Sequence, residues 1–484
     1  MNAQNGAAPT IIIFGASGDL TKRKLVPALY NLFRKRRIAP ETRIIGFART
    51  EFSHEAFRQQ MREGVQEFAG HFDDALWIAF SDNLYYVSGN PDALDDFKRL
   101  DALARELEAG QPAGRMYYLS TPPKLYAEIV AGLGQVGMQD ESHGWRRIII
   151  EKPFGRDLPS ARELNHKVHA VFNEHQVYRI DHYLGKETVQ NVSVFRFANA
   201  IFEPIWNRNY VDNVQISVLE QVPVGRRGGY YDSAGVFRDM FQNHILQLLT
   251  LIAMEPPAAL NAEALRNEKV KVLSAIRPIA SNVLRQHVVR AQYRSYRDEP
   301  NVAPRSDTPT YAALKLYVDN WRWQGVPFFL RSGKALDTRK TQIVVQFKCP
   351  PHSLFAMNEG QQLEPNTLAM EIQPNEGIHL SFQAKVPDAG LAMQPVNFDF
   401  HYASAFGNGA IPEAYERLIL DALQGDASLF TRSDEIELSW ALIDPIVQGF
   451  SGPGAPPLEL YEQGSPGPVG ADELLARHDF AWVM

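Results

Sequence analysis

Four apolar residues in a row, Ile11-Ile-Ile-Phe14, run straight into Gly15-Ala-Ser-Gly-Asp-Leu20, and this junction restricts the fold more than any other stretch. A short continuous apolar run closed by glycine reads as a strand buried on both faces, as parallel sheets provide. The segment behind it, 21–36, has helical spacing at Leu25, Leu29 and Leu32, and Pro27 predicts a kink or a late helix start. Strand, glycine turn and helix together make the opening unit of a doubly wound α/β domain.

The pattern then repeats. Strand-like runs at 43–47, 84–88, 116–119 and 147–150 alternate with helical patterns at 54–68, 91–108 and 123–133, and Ser53 is the expected N-cap of the first of these. Such alternation predicts βαβ units and a parallel sheet. After residue 190 the period falls to two. Val214, Ile216 and Val218 share one face, as do Ala312, Leu314, Leu316 and Val318. Further strands are predicted at 341–347, 368–373, 378–385 and 396–402, and helices at 233–254, 413–423 and 434–442. A long surface loop over 449–470 precedes a last short helix at 471–477. Short connections between strands predict an antiparallel or mixed sheet. The chain therefore divides into an α/β Rossmann domain over 1–185 and a larger α+β domain over 186–484, built on a predominantly antiparallel sheet.

Composition narrows the function. At 484 residues the chain exceeds one ordinary core, and 45% hydrophobic with 22% charged residues is the balance of a soluble globular protein. A net charge of −7 and a pI near 6.0 argue against nucleic acid or an anionic membrane as partner, while leaving room for a local basic pocket. One cysteine, Cys349, excludes an intrachain disulfide and fits a reducing compartment. The polar stretch 1–10 lacks the layout of a signal peptide, and the apolar run 245–254 is too short to span a bilayer, so a cytoplasmic protein is expected.

Several positions carry chemistry. Gly15 and Gly18, after a buried strand and before a helix, let backbone N–H groups and the helix dipole meet a dinucleotide pyrophosphate; the bland alternative is a tight turn with no ligand. Arg49 ends the second strand, where an acid would accept from the 2′-OH of NAD and an arginine suits the 2′-phosphate of NADP. NADP is therefore the expected cofactor, NAD the weaker alternative, with Ser17 adding a hydroxyl. The basic run 34–37 reads more simply as a solvated helix end. Glu151-Lys-Pro-Phe-Gly155 closes the last strong parallel strand, so Lys152 is expected to face a ligand.

Arg179-Ile-Asp-His-Tyr-Leu-Gly-Lys-Glu187 packs Asp181, His182, Tyr183 and Lys186 into nine residues where the pattern changes, and so is read as lining a cleft. Groups of this density are costly in a purely structural segment. His244 neighbours the apolar stripe Phe237, Phe241, Ile245, Leu248 and Ile252 of a helix that Asp232 or Ser233 is expected to cap; alone, it would pass for a core histidine. Asp239 lies five residues earlier, about 140° away on an α-helix. Glu220 ends the apolar row of Val218. A histidine titrating near neutrality, backed by a carboxylate, suits removal of a hydroxyl proton during hydride transfer to nicotinamide. No cysteine or histidine cluster points to a structural metal.

The stretches Gly15–Leu20, Glu151–Gly155 and Arg179–Glu187, with Arg238-Asp-Met-Phe-Gln-Asn-His244, Arg331-Ser-Gly-Lys-Ala-Leu336 and the final Tyr461-Glu-Gln-Gly-Ser-Pro-Gly-Pro468, stand in the order found in glucose-6-phosphate dehydrogenases, and the chain resembles that family over nearly its whole length. The resemblance implies oxidation of β-D-glucose 6-phosphate at C1 to 6-phosphoglucono-δ-lactone, the first step of the oxidative pentose phosphate route. It implies His244 as base and Asp181 as its carboxylate partner. His182, Tyr183, Lys186, Lys334 and Arg339 would surround the sugar phosphate, Arg339 standing where some relatives carry lysine. Glu220 and Asp239 would accept from sugar hydroxyls, with Lys152 where substrate and nicotinamide meet. Gly15, Ala16, Ser17, Gly18, Asp19, Leu20, Arg49 and Tyr126 would hold the adenosine half. A homodimer or homotetramer built through the second domain is also implied. The rivals are a sugar oxidoreductase of the glucose–fructose oxidoreductase type, which needs no phosphate group around His182, and an NADP-binding sensor, which needs no base.

Overall fold

The computed structural model describes residues 7–352, 363–407, 409–452 and 454–483. Residues 1–6 of the polar N-terminal stretch, and residue 453 of the predicted loop, lie outside them. The chain forms two compact units: residues 1–185, 259–266 and 412–437 in one, the rest in the other.

The first unit is built on β1 (Ala7–Phe14), β2 (Arg43–Ala48), β3 (Leu84–Ser88), β4 (Ala113–Leu119), β5 (Arg146–Ile150) and β6 (Val177–Ile180). They lie in the order β6-β5-β4-β1-β2-β3, all parallel, with the two-residue strand Phe430–Thr431 antiparallel beside β6. Ile11 to Phe14 are almost fully buried, as a central strand covered on both faces requires. The α-helix starts late, as Pro27 predicts. A π-turn over Thr21–Leu25 passes into the α-helix Val26–Arg34, and Pro27 sits where the bonding register changes and a missing N–H costs little. Ser53 caps His54–Phe68, accepting from Ala56 N at 3.1 Å. Two helices absent from the sequence reading, Asp74–Ser81 and Leu158–His169, are capped by Asp73 and by an Asp157–Ser160 capping box.

The segment 412–437 lies within the second domain expected over 186–484, yet it packs into the first unit. Its helix Ala414–Gln424 carries Glu416, which accepts from Asn31 at 2.9 Å and pairs with Lys35 at 2.5 Å. Arg147 donates to the carbonyls of Ala422 and Leu423, both at 2.7 Å. A helical period reports which face is apolar, not which distant sheet will cover it.

The second unit is a nine-stranded sheet of β7 (Val211–Leu219), β8 (Val288–Tyr293), β9 (Tyr311–Tyr317), β10 (Pro327–Gly333), β11 (Lys340–Phe347), β12 (Thr367–Gln373), β13 (Gly377–Lys385), β14 (Met393–His401) and β15 (Leu458–Tyr461). The order is β14-β13-β12-β11-β7-β10-β9-β8-β15, antiparallel except for β7 with β10 and β8 with β15. The predicted loop 449–470 therefore contains an edge strand. Tyr461 is buried there, its hydroxyl donating to the Lys334 carbonyl at 2.7 Å.

Strand β7 departs from simple alternation. Val214, Ile216 and Val218 are buried, but so are Asn213, Gln215 and Ser217 on the other parity. The C-terminal residues cover that second face. Gln215 donates to the Ala481 carbonyl and accepts from Val483 N, both at 2.9 Å, Gln342 donates to the Val483 carbonyl at 2.6 Å, and Trp482 lies 4.1 Å from the Arg331 guanidinium.

The predicted helix 233–254 is broken at Gly235 (φ 63°, ψ 175°). Gly228–Val236 precedes the break; beyond it Phe237–Ile245 winds as a π-helix before Leu246–Ala253 returns to α. Asp232 and Ser233 thus do not cap the segment that carries His244. Asp232 instead accepts from Tyr296 Oη at 3.1 Å and from Ser306 Oγ at 2.5 Å.

In the first unit Arg115 binds Glu108 through two nitrogens (2.8 and 2.7 Å) and Asp101 through a third (2.6 Å), and Thr10 also donates to Glu108. Both Arg115 and Glu108 are buried. Arg115→Ala strands a buried carboxylate, which should cost about 3–5 kcal/mol. The unfolding midpoint of the first unit in urea should fall accordingly, and a midpoint within error of the parent protein would show that the network contributes little.

Candidate active site

In the first unit every predicted cofactor or substrate position except Tyr126 follows the carboxyl end of a parallel strand, where open α/β sheets place ligands. Gly15 to Leu20 leave β1. Gly15 has φ +80°, its N–H donates to the Phe47 carbonyl at 2.8 Å, and a Cβ there would lie 2.2 Å from the Ser120 carbonyl oxygen. Only glycine fits this turn. Gly18 N closes it on the Gly15 carbonyl at 2.9 Å, and Ala16 is buried beside it. Ser17 accepts from Thr50 Oγ at 3.1 Å. Asp19 points outward, 3.5 Å from Arg23, and Leu20 is half-buried. Arg49, just past β2, is exposed.

Lys152 and Asp181 come from neighbouring strands, since Ile150 at the end of β5 pairs with Arg179 in β6. The Lys152–Pro153 peptide is cis. Glu151 anchors this turn, a role that the sequence reading did not assign. Tyr118 Oη donates to its carboxylate at 2.6 Å, and burial pushes that carboxyl up while hydrogen bonds from Tyr118 and Tyr415 pull it back. Tyr126 is buried, with its hydroxyl on the Glu151 carbonyl at 3.0 Å, so it braces the turn from behind. Asp181 is buried and accepts from Tyr183 N at 3.0 Å, which curls the chain back at once after β6. His182 is half-buried, Tyr183 buried, and their rings meet edge-on at 5.0 Å. Arg179 is structural: its buried guanidinium donates to Glu174 at 2.7 Å.

The unit boundary falls between Gly185 and Lys186. In the second unit, Lys186 Nζ donates to Gln373 Oε1, a partner with no distinguishing sequence signal. Glu220 and Lys334 leave the parallel neighbours β7 and β10, where Gly333 pairs with Leu219, and they form an ion pair. Glu220 N donates to the Gly333 carbonyl at 2.9 Å, and Lys334 Nζ stands 5.6 Å from the Tyr231 ring centre. Arg339 is exposed in the turn before β11.

Asp239 and His244 are both buried on the π-wound segment. With i to i+5 bonding a turn holds more residues than in an α-helix, so the roughly 140° separation expected for an α-helix narrows. Asn243 supports this winding: its side chain donates to the Arg238 carbonyl five residues back at 3.2 Å and accepts from His244 N at 2.6 Å. Arg227 approaches Asp239 to 3.5 Å, a contact that no sequence pattern flagged.

A buried histidine and a buried carboxylate on one helical segment, cationic groups at strand ends and a glycine turn suited to pyrophosphate are the kinds of group a nicotinamide-dependent dehydrogenase uses. Comparison with known proteins agrees. Residues 12–191 match the model of the glucose-6-phosphate dehydrogenase NAD-binding domain, and residues 193–483 that of the same family's C-terminal domain. The chain is 45% identical to glucose-6-phosphate 1-dehydrogenase of Aggregatibacter actinomycetemcomitans, over 98% of this chain and 96% of that one. It is 43% identical to that of Bacillus subtilis, over 98% and 97%. A solved glucose-6-phosphate dehydrogenase in complex with glucose-6-phosphate superposes with a TM-score of 0.92 at 38% identity, covering all of both chains. The protein is an enzyme with a nicotinamide-dinucleotide-binding domain, and the chain belongs to the glucose-6-phosphate dehydrogenase family.

Proposed function

We propose that the chain oxidises β-D-glucose 6-phosphate at C1 to 6-phosphoglucono-δ-lactone with NADP as the preferred hydride acceptor, opening the oxidative pentose phosphate route. The observation that carries this reading is the buried His244 on the π-wound segment of the second unit, together with the buried Asp181 after β6 of the first. A sensor that only binds nucleotide has no use for a base and a catalytic carboxylate. The related enzyme of known structure is described in complex with glucose-6-phosphate, which favours the phosphorylated sugar over the free one.

The roles follow from chemistry. His244 is the base that takes the C1 hydroxyl proton, and Asp181 is the catalytic carboxylate. A positioned base of this kind contributes about 10²–10⁴ in rate. Glu220 and Asp239 accept from sugar hydroxyls, holding C1 in register, and Lys152 serves both sugar and nicotinamide. His182, Tyr183, Lys186, Lys334 and Arg339 bind the phosphate dianion, for which charge-assisted hydrogen bonds are the strong contacts. The residues at the nucleotide end suit a dinucleotide: Gly15, at the end of β1 and with positive φ, packs its turn against the Ser120 carbonyl, and Arg49 is exposed just past β2. Bound NADP supplies the hydride acceptor. Self-association through the second unit is part of this proposal, supported by the exposed Phe398, Leu391 and Phe406 on and beside the outer strands β13 and β14.

His244→Asn should collapse kcat by about 10²-fold or more with a modest change in KM; retained kcat would remove His244 from the chemistry. His182→Asn should chiefly raise KM for glucose 6-phosphate, by roughly tenfold or more for one charge-assisted hydrogen bond, and an unchanged KM would reject that contact. For Arg49→Ala the expected result is a rise in KM for NADP much larger than any change for NAD. Equal losses with both cofactors would refute a 2′-phosphate contact.

A further inference from the structure

Beyond the end of β2 the first unit opens a pocket of about 600 Å³. Its lining brings Arg49 together with Glu51, Asn90, Asp96 and Arg99. Three of these are committed to one another. Asp96 accepts from Asn90 N at 2.7 Å and from Arg99 at 2.6 Å, and Arg99 also donates to the Ser88 carbonyl at 2.9 Å. That exchange neutralises Asp96 and fixes the rim. Arg49 and Glu51 differ. Both are exposed, and among the described residues neither side chain makes an ion pair or hydrogen bond, with each other or with a third group. One pocket thus presents an unpaired cation and an unpaired carboxylate, two residues apart.

We propose that Glu51 is a specificity-determining residue that works against Arg49 at the adenosine ribose; this rests on the NADP reading above. Two ends of one nucleotide chemistry meet here. A ribose 2′-phosphate is attracted by the arginine and repelled by the glutamate, whereas a free 2′-OH can donate to the glutamate and gains nothing from the arginine. A repulsive group placed beside an attractive one lowers the contrast between two ligands. The pocket accordingly holds NADP less tightly than Arg49 alone would allow, and it keeps NAD within reach as a second acceptor.

Calorimetric titration of the full-length protein without sugar substrate, with NADP and NAD in turn, tests this directly. For Glu51→Gln the Kd for NADP should fall about two- to fivefold, the effect of one exposed charge near another. The Kd for NAD should stay constant or rise, and the gain for NADP should shrink as salt is raised. Unchanged values for both cofactors, or a parallel shift of both, would overturn the assignment. Arg49→Ala, titrated alongside, separates the two layers of the argument. If it weakens NADP while Glu51→Gln changes nothing, the NADP reading stands and only the role of Glu51 fails. If Arg49→Ala leaves NADP binding intact, the phosphate does not sit in this pocket and both fail.

Discussion

Hydrogen bonds running from i to i+5 along Phe237–Ile245 decide which side chains can work together in the second unit. On an ordinary α-helix Asp239 and His244 would diverge. π winding narrows the angle between them, while Phe237 and Phe241 still stack at 5.3 Å and Phe237, Phe241 and Ile245 remain buried in the core. The segment therefore buries an apolar stripe together with the carboxylate of Asp239 and the imidazole of His244. The break at Gly235 sets its start, for the positive φ there ends the preceding helix and lets Val236 N donate to the Pro309 carbonyl.

A second constraint is the exit of chemistry from strand ends. In the first unit the carboxyl ends of β1, β2, β5 and β6 deliver the glycine turn, Arg49, Lys152 and Asp181. In the second unit the one parallel pair in the middle of an otherwise largely antiparallel sheet, β7 with β10, sends Glu220 and Lys334 out side by side. An antiparallel pairing would have put them at opposite ends. The parallel pair is thus the topological feature that lets a carboxylate and an ammonium share one place.

Much of this was legible in the residues. The apolar run ending at Phe14, the capped helix His54–Phe68 and the alternating rows of β7 and β9 appear where their periods put them, because each buries a face that its spacing defines. The placement of Gly15, Arg49, Lys152 and Asp181 at the carboxyl ends of strands was visible as well, since strand ends are local signals. What stayed hidden was non-local or conformational. The π winding has no separate apolar period, so Asp239 and His244 read as divergent. The joining of 412–437 to the first unit depends on Arg147, Asn31 and Lys35, hundreds of residues away. The burial of Asn213, Gln215 and Ser217 depends on the C-terminal segment, which a two-residue period would assign to water.

The phosphate is what distinguishes the proposed substrate from a free sugar. The direct measurement is the rate of NADP reduction with glucose 6-phosphate against that with glucose, as kcat/KM. Two charge-assisted hydrogen bonds of about 2 kcal/mol each would favour the phosphorylated sugar by about three orders of magnitude. Comparable values for the two sugars would contradict the account, leaving a sugar dehydrogenase that does not read the phosphate.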